Sequence, residues 1–226
     1  MAVLETLIDK QDNFEIGRDQ IASILVLEVA NQMSLATAAA KDPDLWKLRV
    51  FTEASNPWEQ WLNITEATDL SPIINIWVDR GNFPKGKGDV VGRQANDVVY
   101  NIDCYGSAFS EDVIAGGHKP GDREAALEAH RAVRLVRNIL MSSINRYLQL
   151  RGTVWGRWID SFEVFQPQQD DQAVQNIVGA RIKLAVTVNE FSPQVVPETL
   201  ELLSVDVKRV EDGLVVLEAD YEYPIV

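Results

Sequence analysis

Cysteine is almost absent. Cys104 is the single thiol, so the chain can form no internal disulfide, and a small disulfide-stapled secreted scaffold is excluded. Histidine is nearly as scarce, at His118 and His130. A zinc site draws three or four ligands at characteristic spacings, and these residues do not supply them, so no metal and no cofactor is expected. Positive charge is in deficit, with 21 Lys and Arg against 34 Asp and Glu and a net charge of -13. That disfavours a nonspecific grip on nucleic acid, which needs cations to displace counterions, and disfavours an anionic membrane surface. The apolar run from Ile21 to Ala30 is broken by Ser23 and Glu28 and is too short to span a bilayer. Met1 to Lys10 lacks a basic stretch followed by an apolar core, so no secretory leader is expected. The sequon Asn63-Ile-Thr65 then lacks a glycosylation context. There is no internal repeat and no low-complexity tract.

What is present is enough for a core. A chain of 226 residues buries roughly 70% of its unfolded surface and folds without staples. Asp19 to Ala40 reads as a helix, with Ile21, Leu25, Val29 and Met33 four apart and Asp19 as cap. Asp42-Pro43 ends it. Its apolar face covers either its own sheet or a neighbouring subunit. Lys47 to Phe51 is a short strand, and Asn56 to Leu62 a helical turn placing Trp58 and Trp61 in local core. Ile74, Ile76 and Val78 alternate with Asn75, Trp77 and Asp79, as on a strand with one buried face. Val98 to Tyr105 alternates likewise. After a loop from Phe109 to Pro120, Asp122 opens a helix to about Leu150, with Val133, Val136, Leu140, Ile144 and Tyr147 as its stripe and Gly152 as its stop. Trp155 to Phe165 and Val178 to Glu190 read as further strands. Asp212-Gly213 between alternating runs signals a hairpin over 204–220. The expectation is a single α+β domain over 1–226: a mostly antiparallel sheet flanked by helices, elaborated by a loop at 81–92 and a C-terminal β-hairpin.

Candidate chemistry is thin. Gly81-Asn-Phe-Pro-Lys-Gly-Lys-Gly88 imitates a phosphate loop, but Gly88 stands where Ser or Thr must hold magnesium. Gly92 argues against the helix that should follow. The plainer reading is a locally basic loop, through Lys85 and Lys87, that orders against a neighbour. Cys104 shares the alternating face of Val98, Tyr100 and Ile102, which makes it core and not a nucleophile. No Gly-x-Ser-x-Gly elbow is present. Acids at Asp103, Asp170-Asp171 and Glu198/Glu201 read as solvated charges rather than as a converging pair. The arginines stand out. Arg131, Arg134, Arg137 and Arg146 lie off the apolar stripe, and Arg157 follows in the next strand. They fit either internal pairing with Glu124 and Glu128 or ion pairs with an acidic neighbour. Trp155 and Trp158 fall on opposite strand faces, which exposes at least one as an interface anchor. No enzyme is expected.

Tyr100-Asn-Ile-Asp-Cys-Tyr-Gly106, the helix through Arg131-Ala-Val-Arg-Leu-Val-Arg137, Ser161-Phe-Glu-Val-Phe165 and Gly179-Ala-Arg-Ile-Lys-Leu-Ala-Val-Thr-Val-Asn-Glu190 together resemble a phage tail terminator, or tail completion protein. The resemblance covers roughly the middle half of the chain and lies in pattern and order. It implies a homo-hexameric ring that caps the tail tube protein and offers a surface to a neck or head-completion protein. DNA would pass through without specific binding, and no membrane would be involved. The location implied is the virion tail or neck, after assembly in the host cytoplasm. The 81–88 loop and the hairpin read as additions that suit a contractile tail, where a terminator also holds the last ring of the sheath protein. The rival expectations are another head-tail connector, neck or baseplate protein, and, in a different class, a small-molecule binding protein or hydrolase using acidic loops.

Overall fold

The computed structural model describes residues 9–61, 70–85, 92–113, 117–167, 176–191, 202–208 and 215–222, with backbone alone at 60, 111–113, 117–119, 202–208 and 215–222. Lys87, Asn63, Asp170, Asp171, Glu198, Glu201 and the Asp212-Gly213 turn lie outside the described residues. In chain order the elements are α1 (Asn13–Ala38), β1 (Arg49–Thr52), β2 (Ile73–Asn82), β3 (Arg93–Ala108), β4 (Glu111–Val113), β5 (Gly117–Lys119), α2 (Gly121–Leu140), β6 (Val154–Phe165), β7 (Asn176–Phe191), β8 (Leu202–Lys208) and β9 (Val215–Glu222). The chain clusters into two compact units, 1–194 and 195–226.

The first unit is an α+β fold around a five-stranded sheet of order β1-β2-β3-β7-β6. Every pairing is antiparallel except β1 with β2. The alternation read from sequence places Ile74, Ile76, Val98, Tyr100, Ile102, Ile182, Leu184, Val186 and Val188 on one face, where α1 and α2 cover them. Cys104 lies in that core with no exposure, and burial raises its thiol pKa. Each fully buried Ile or Leu there contributes about 1.5–3 kcal/mol. The second unit is described as the hairpin of β8 and β9, running from Leu202 opposite Glu222 to Lys208 opposite Val215.

Both helices begin before the residues expected to cap them. α1 starts six residues before Asp19, at Asn13, with Asp12 as N-cap. The Asp12 N–H donates to Glu15 at 2.9 Å. The carboxylate of Glu190, from the far end of β7, accepts from the N–H groups of Asn13 (2.9 Å) and Phe14 (3.0 Å). Such a carboxylate satisfies orphan donors and meets the positive end of the helix dipole. α1 is 26 residues long, and an 18-residue stretch within it, at a mean hydropathy of 1.4, is apolar enough to cross a membrane by length and composition. One side of it is core, through Ile21, Ile24, Leu25, Val29 and Ala36. α2 starts at Gly121, one residue before Asp122, and Ser110 Oγ accepts the Gly121 N–H at 3.1 Å.

The predicted end of α2 is corrected by ten residues. The helix stops at Leu140, and a 3-10 turn over Ser143–Asn145 follows. Ser142 Oγ and Asn145 Nδ2 both donate to the Ile139 carbonyl, at 2.9 and 3.0 Å. Short polar side chains here offer the last carbonyls a better partner than another helical turn. Ile144, expected on the apolar stripe, is therefore thrown outward and is 83% exposed. The segment expected as a loop from Phe109 to Pro120 contains the small β4–β5 ladder.

Candidate functional site

The arginines separate into two groups. Arg131 points inward. Its guanidinium donates to Glu128 and to the Leu45 carbonyl, tying α2 to the 3-10 turn Pro43–Trp46. Arg157 is half-buried and donates to the Ser142 carbonyl at 2.6 Å, while burial, and then nearby Arg146, lower its pKa. Arg134, Arg137 and Arg146 are exposed and make no ion pair among the described residues. Arg146 lies 5.3 Å from the centre of the Tyr147 ring. Lys85 is exposed just beyond β2. The helix thus presents a free cationic face beside an internal one, a division that spacing alone left open.

β6 forms the edge of the sheet beyond β7 and runs for twelve residues. Two register shifts, between Val154 and Gly156 and between Ile159 and Ser161, bend it. The first sets Trp155 outside the strict alternation, so Trp155 and Trp158 are both exposed, at 53% and 46%. Phe162 and Val164 are exposed as well, and the Phe162 ring stands 6.4 Å from that of His130 on α2. Natural sheets blunt their edges with charge, proline, bulges or covering elements. This edge has bulges and a few charges, yet it keeps four large apolar side chains in water.

A second cluster, which sequence reasoning passed over, sits on the sheet face away from the helices. Asp103, expected as a solvated charge, is buried. It accepts from Arg181 Nε at 2.6 Å and Nη2 at 3.0 Å, from Trp77 Nε1 at 3.0 Å and from Tyr105 Oη at 3.3 Å. The Arg181 guanidinium lies 5.0 Å from the Trp77 ring centre and 5.2 Å from that of Phe165. Its hydrogen bonds to Asp103 raise its pKa, against desolvation. Burial, and then the charge of Asp103, push the Tyr105 phenol up. The signal was available: Asp103 alternates with Asn101 and Tyr105 on the face that also carries Arg181 of the neighbouring strand. A cavity of about 380 Å³ opens beside the cluster, with Glu53, Trp58, Asn75 and Pro167 in its lining. The carboxylate has four donors on it and the guanidinium has its counter-ion, so this pair locks strands together and holds no free general base. Among the described residues, no group of three or more His, Cys, Asp and Glu is placed to hold a metal ion.

Comparison with known proteins finds no family model and no curated protein that matches this chain.

Proposed function

We propose that this protein is a structural, non-catalytic subunit of a phage tail end, a tail terminator that forms a ring, on six copies, over the last ring of tube protein. The observation that carries this reading is the order β3, α2, β6, β7 on a sheet whose outer strand, β6, pairs on one side alone among the described residues and exposes Trp155, Trp158, Phe162 and Val164. A ring needs head-to-tail interfaces that close, and exposed tryptophan and arginine are residue types that anchor interfaces. In this reading one surface of the ring meets the tube and the other a neck or head-completion protein, with the sheath as a further contact. The net charge of -13, repeated around a ring, lets DNA slide through without a grip on its phosphates. The test is the solution mass by light scattering with negative-stain images, followed by pull-down on purified tail tube. A sixfold ring that binds tube supports the reading. A ring that ignores tube but binds portal or baseplate moves the protein to another position in the particle.

The cavity beside Asp103 favours a second reading, a small-molecule binding protein. A ligand-induced rise in melting temperature, lost when Trp58 or Trp77 is replaced by Ala, would establish it.

A further inference from the structure

The outward side of α1 is the other unexplained surface. Between Ile21 and Ala40 the helix carries one charge, Glu28. Ser23, Val26, Leu27, Ala30, Asn31, Ser34 and Leu35 face solvent, with Leu27 65% and Leu35 54% exposed. Ser23, Val26, Leu27, Ala30 and Ser34 recur at helical spacing as one stripe opposite Ile21, Leu25 and Val29, with Asn31 and Leu35 on its flank. An uncharged helix face of this extent on a strongly charged protein marks a contact surface.

α1 lies chiefly over β1 and β2, whereas the exposed apolar side chains of β6 stand on the opposite edge strand of the same sheet. The two apolar surfaces therefore belong to opposite edges of the sheet. Their settings also differ in charge. Residues 9–61, which hold α1 and β1, carry nine acidic residues against five basic ones. Residues 121–165, which hold α2 and all of β6, carry seven arginines against five acids. One end is thus apolar in an acidic frame at net -4 and the other apolar in a mildly basic frame at net +2, each derived from those counts. Like ends repel and unlike ends attract, which disfavours a two-fold dimer and favours head-to-tail association.

We propose that the α1 stripe of one copy docks on the β6 edge of the next, with Leu27 and Leu35 against the Trp158 side of that edge and its exposed arginines facing the acids around α1. This deepens the ring reading, on which it rests, by naming the two surfaces that meet. A membrane is the competing occupant of α1, given its length and composition.

The test uses two variants of the full chain at exposed positions. Leu27→Arg sets a cation against the basic end of the neighbour, and Trp158→Glu sets an anion against the acidic end. Each variant alone is expected to be monomeric in light scattering, with an unchanged circular dichroism spectrum. Mixed one to one, they are expected to associate again, because each retains the intact surface that the other lacks and the introduced cation and anion face each other at the remaining contact. Oligomers that persist in both variants, or a mixture that stays monomeric, overturn the assignment of surfaces and leave the ring reading standing. Oligomers that obey the mixing rule but do not bind tail tube sustain the interface and remove the terminator reading. A wild-type protein that is monomeric at its highest soluble concentration overturns the interface. Flotation of the wild type with phosphatidylcholine vesicles, lost in Leu27→Arg, would assign α1 to lipid instead.

Discussion

Asp103 and Arg181 join β3 to β7, and Trp77 and Tyr105 complete the shell around the carboxylate. Replacing Asp103 with Ala would leave Arg181 between two rings without its counter-ion and the Trp77 indole N–H without an acceptor. Removing one partner of a buried pair costs about 3–5 kcal/mol. Arg181 keeps a quarter of its side chain in water, so Asp103→Ala is expected at the lower end, about 3 kcal/mol in urea unfolding. A loss below about 1 kcal/mol, the scale of an exposed pair, would show that the cluster does not hold the sheet. Gly106 tests packing where Asp103 tests charge. A Cβ there would stand 2.2 Å from the Ala125 carbonyl oxygen and 2.5 Å from the Ala129 nitrogen, both helix backbone. Fully buried Ala125 and Ala129 on α2 are small for the same reason. Overpacking typically costs about 1–3 kcal/mol, and since backbone cannot rotate aside, Gly106→Ala is expected to lose about 3 kcal/mol in the same assay.

The elements depend on one another at points the local sequence does not display. Tyr100 Oη on β3 donates to the Phe14 carbonyl at 2.7 Å, passing Gly17, where a Cβ would meet that hydroxyl at 2.5 Å. Together with Glu190, this contact holds the first turn of α1 against the sheet. The sheet was legible because strand alternation is a local signal, and Ile74, Ile102 and Ile182 fall where their alternation puts them. The start of α1 also carries a local signal, the capping box of Asp12 and Glu15, which a reading that begins at Asp19 overlooks; the support from Glu190, 176 residues from Phe14, is the part that local sequence does not display. The end of α2 was missed because Asn145 and Ser142 outcompete a helical pattern that continues past them. The candidate interface was partly legible: residue type singled out the arginines and tryptophans, but only tertiary contacts separate inward Arg131 from outward Arg134. Glu190 also yields a pH test. Burial raises its carboxyl above the usual glutamate range, with the hydrogen bonds from Asn13, Asn96 and Phe14 acting against it. The folded state therefore binds this proton more tightly than the unfolded chain, so the group's contribution to stability is fully present below the unfolded pKa and is lost as pH rises through the folded one. The stability of the wild type relative to Glu190→Gln is expected to improve as pH falls from neutrality through that range. A flat or opposite trend would mean that α1 holds the group as an anion.

For the whole molecule, the segregation of charge matters more than its total. A uniform shell at -13 would make copies repel, and added salt would then strengthen association by screening that repulsion. The acidic α1 end and the basic α2–β6 end make a different demand. If they meet, their attraction acts between surfaces a few ångströms apart, while the repulsion of the remaining charge acts over longer distances. Moderate salt screens the longer-range term first, since the Debye length is about 10 Å at 0.1 M and about 3 Å at 1 M. Association is therefore expected to tighten slightly as salt is first added and then to weaken towards 1 M, where Debye lengths of about 3 Å reach the contact itself. The apolar stripe and the β6 edge supply what remains. Sedimentation equilibrium across this range measures the balance. Association that strengthens steadily to the highest salt would show that burial of Leu27, Leu35 and Trp158 acts alone and that the exposed arginines serve another partner, such as an acidic surface of the tube.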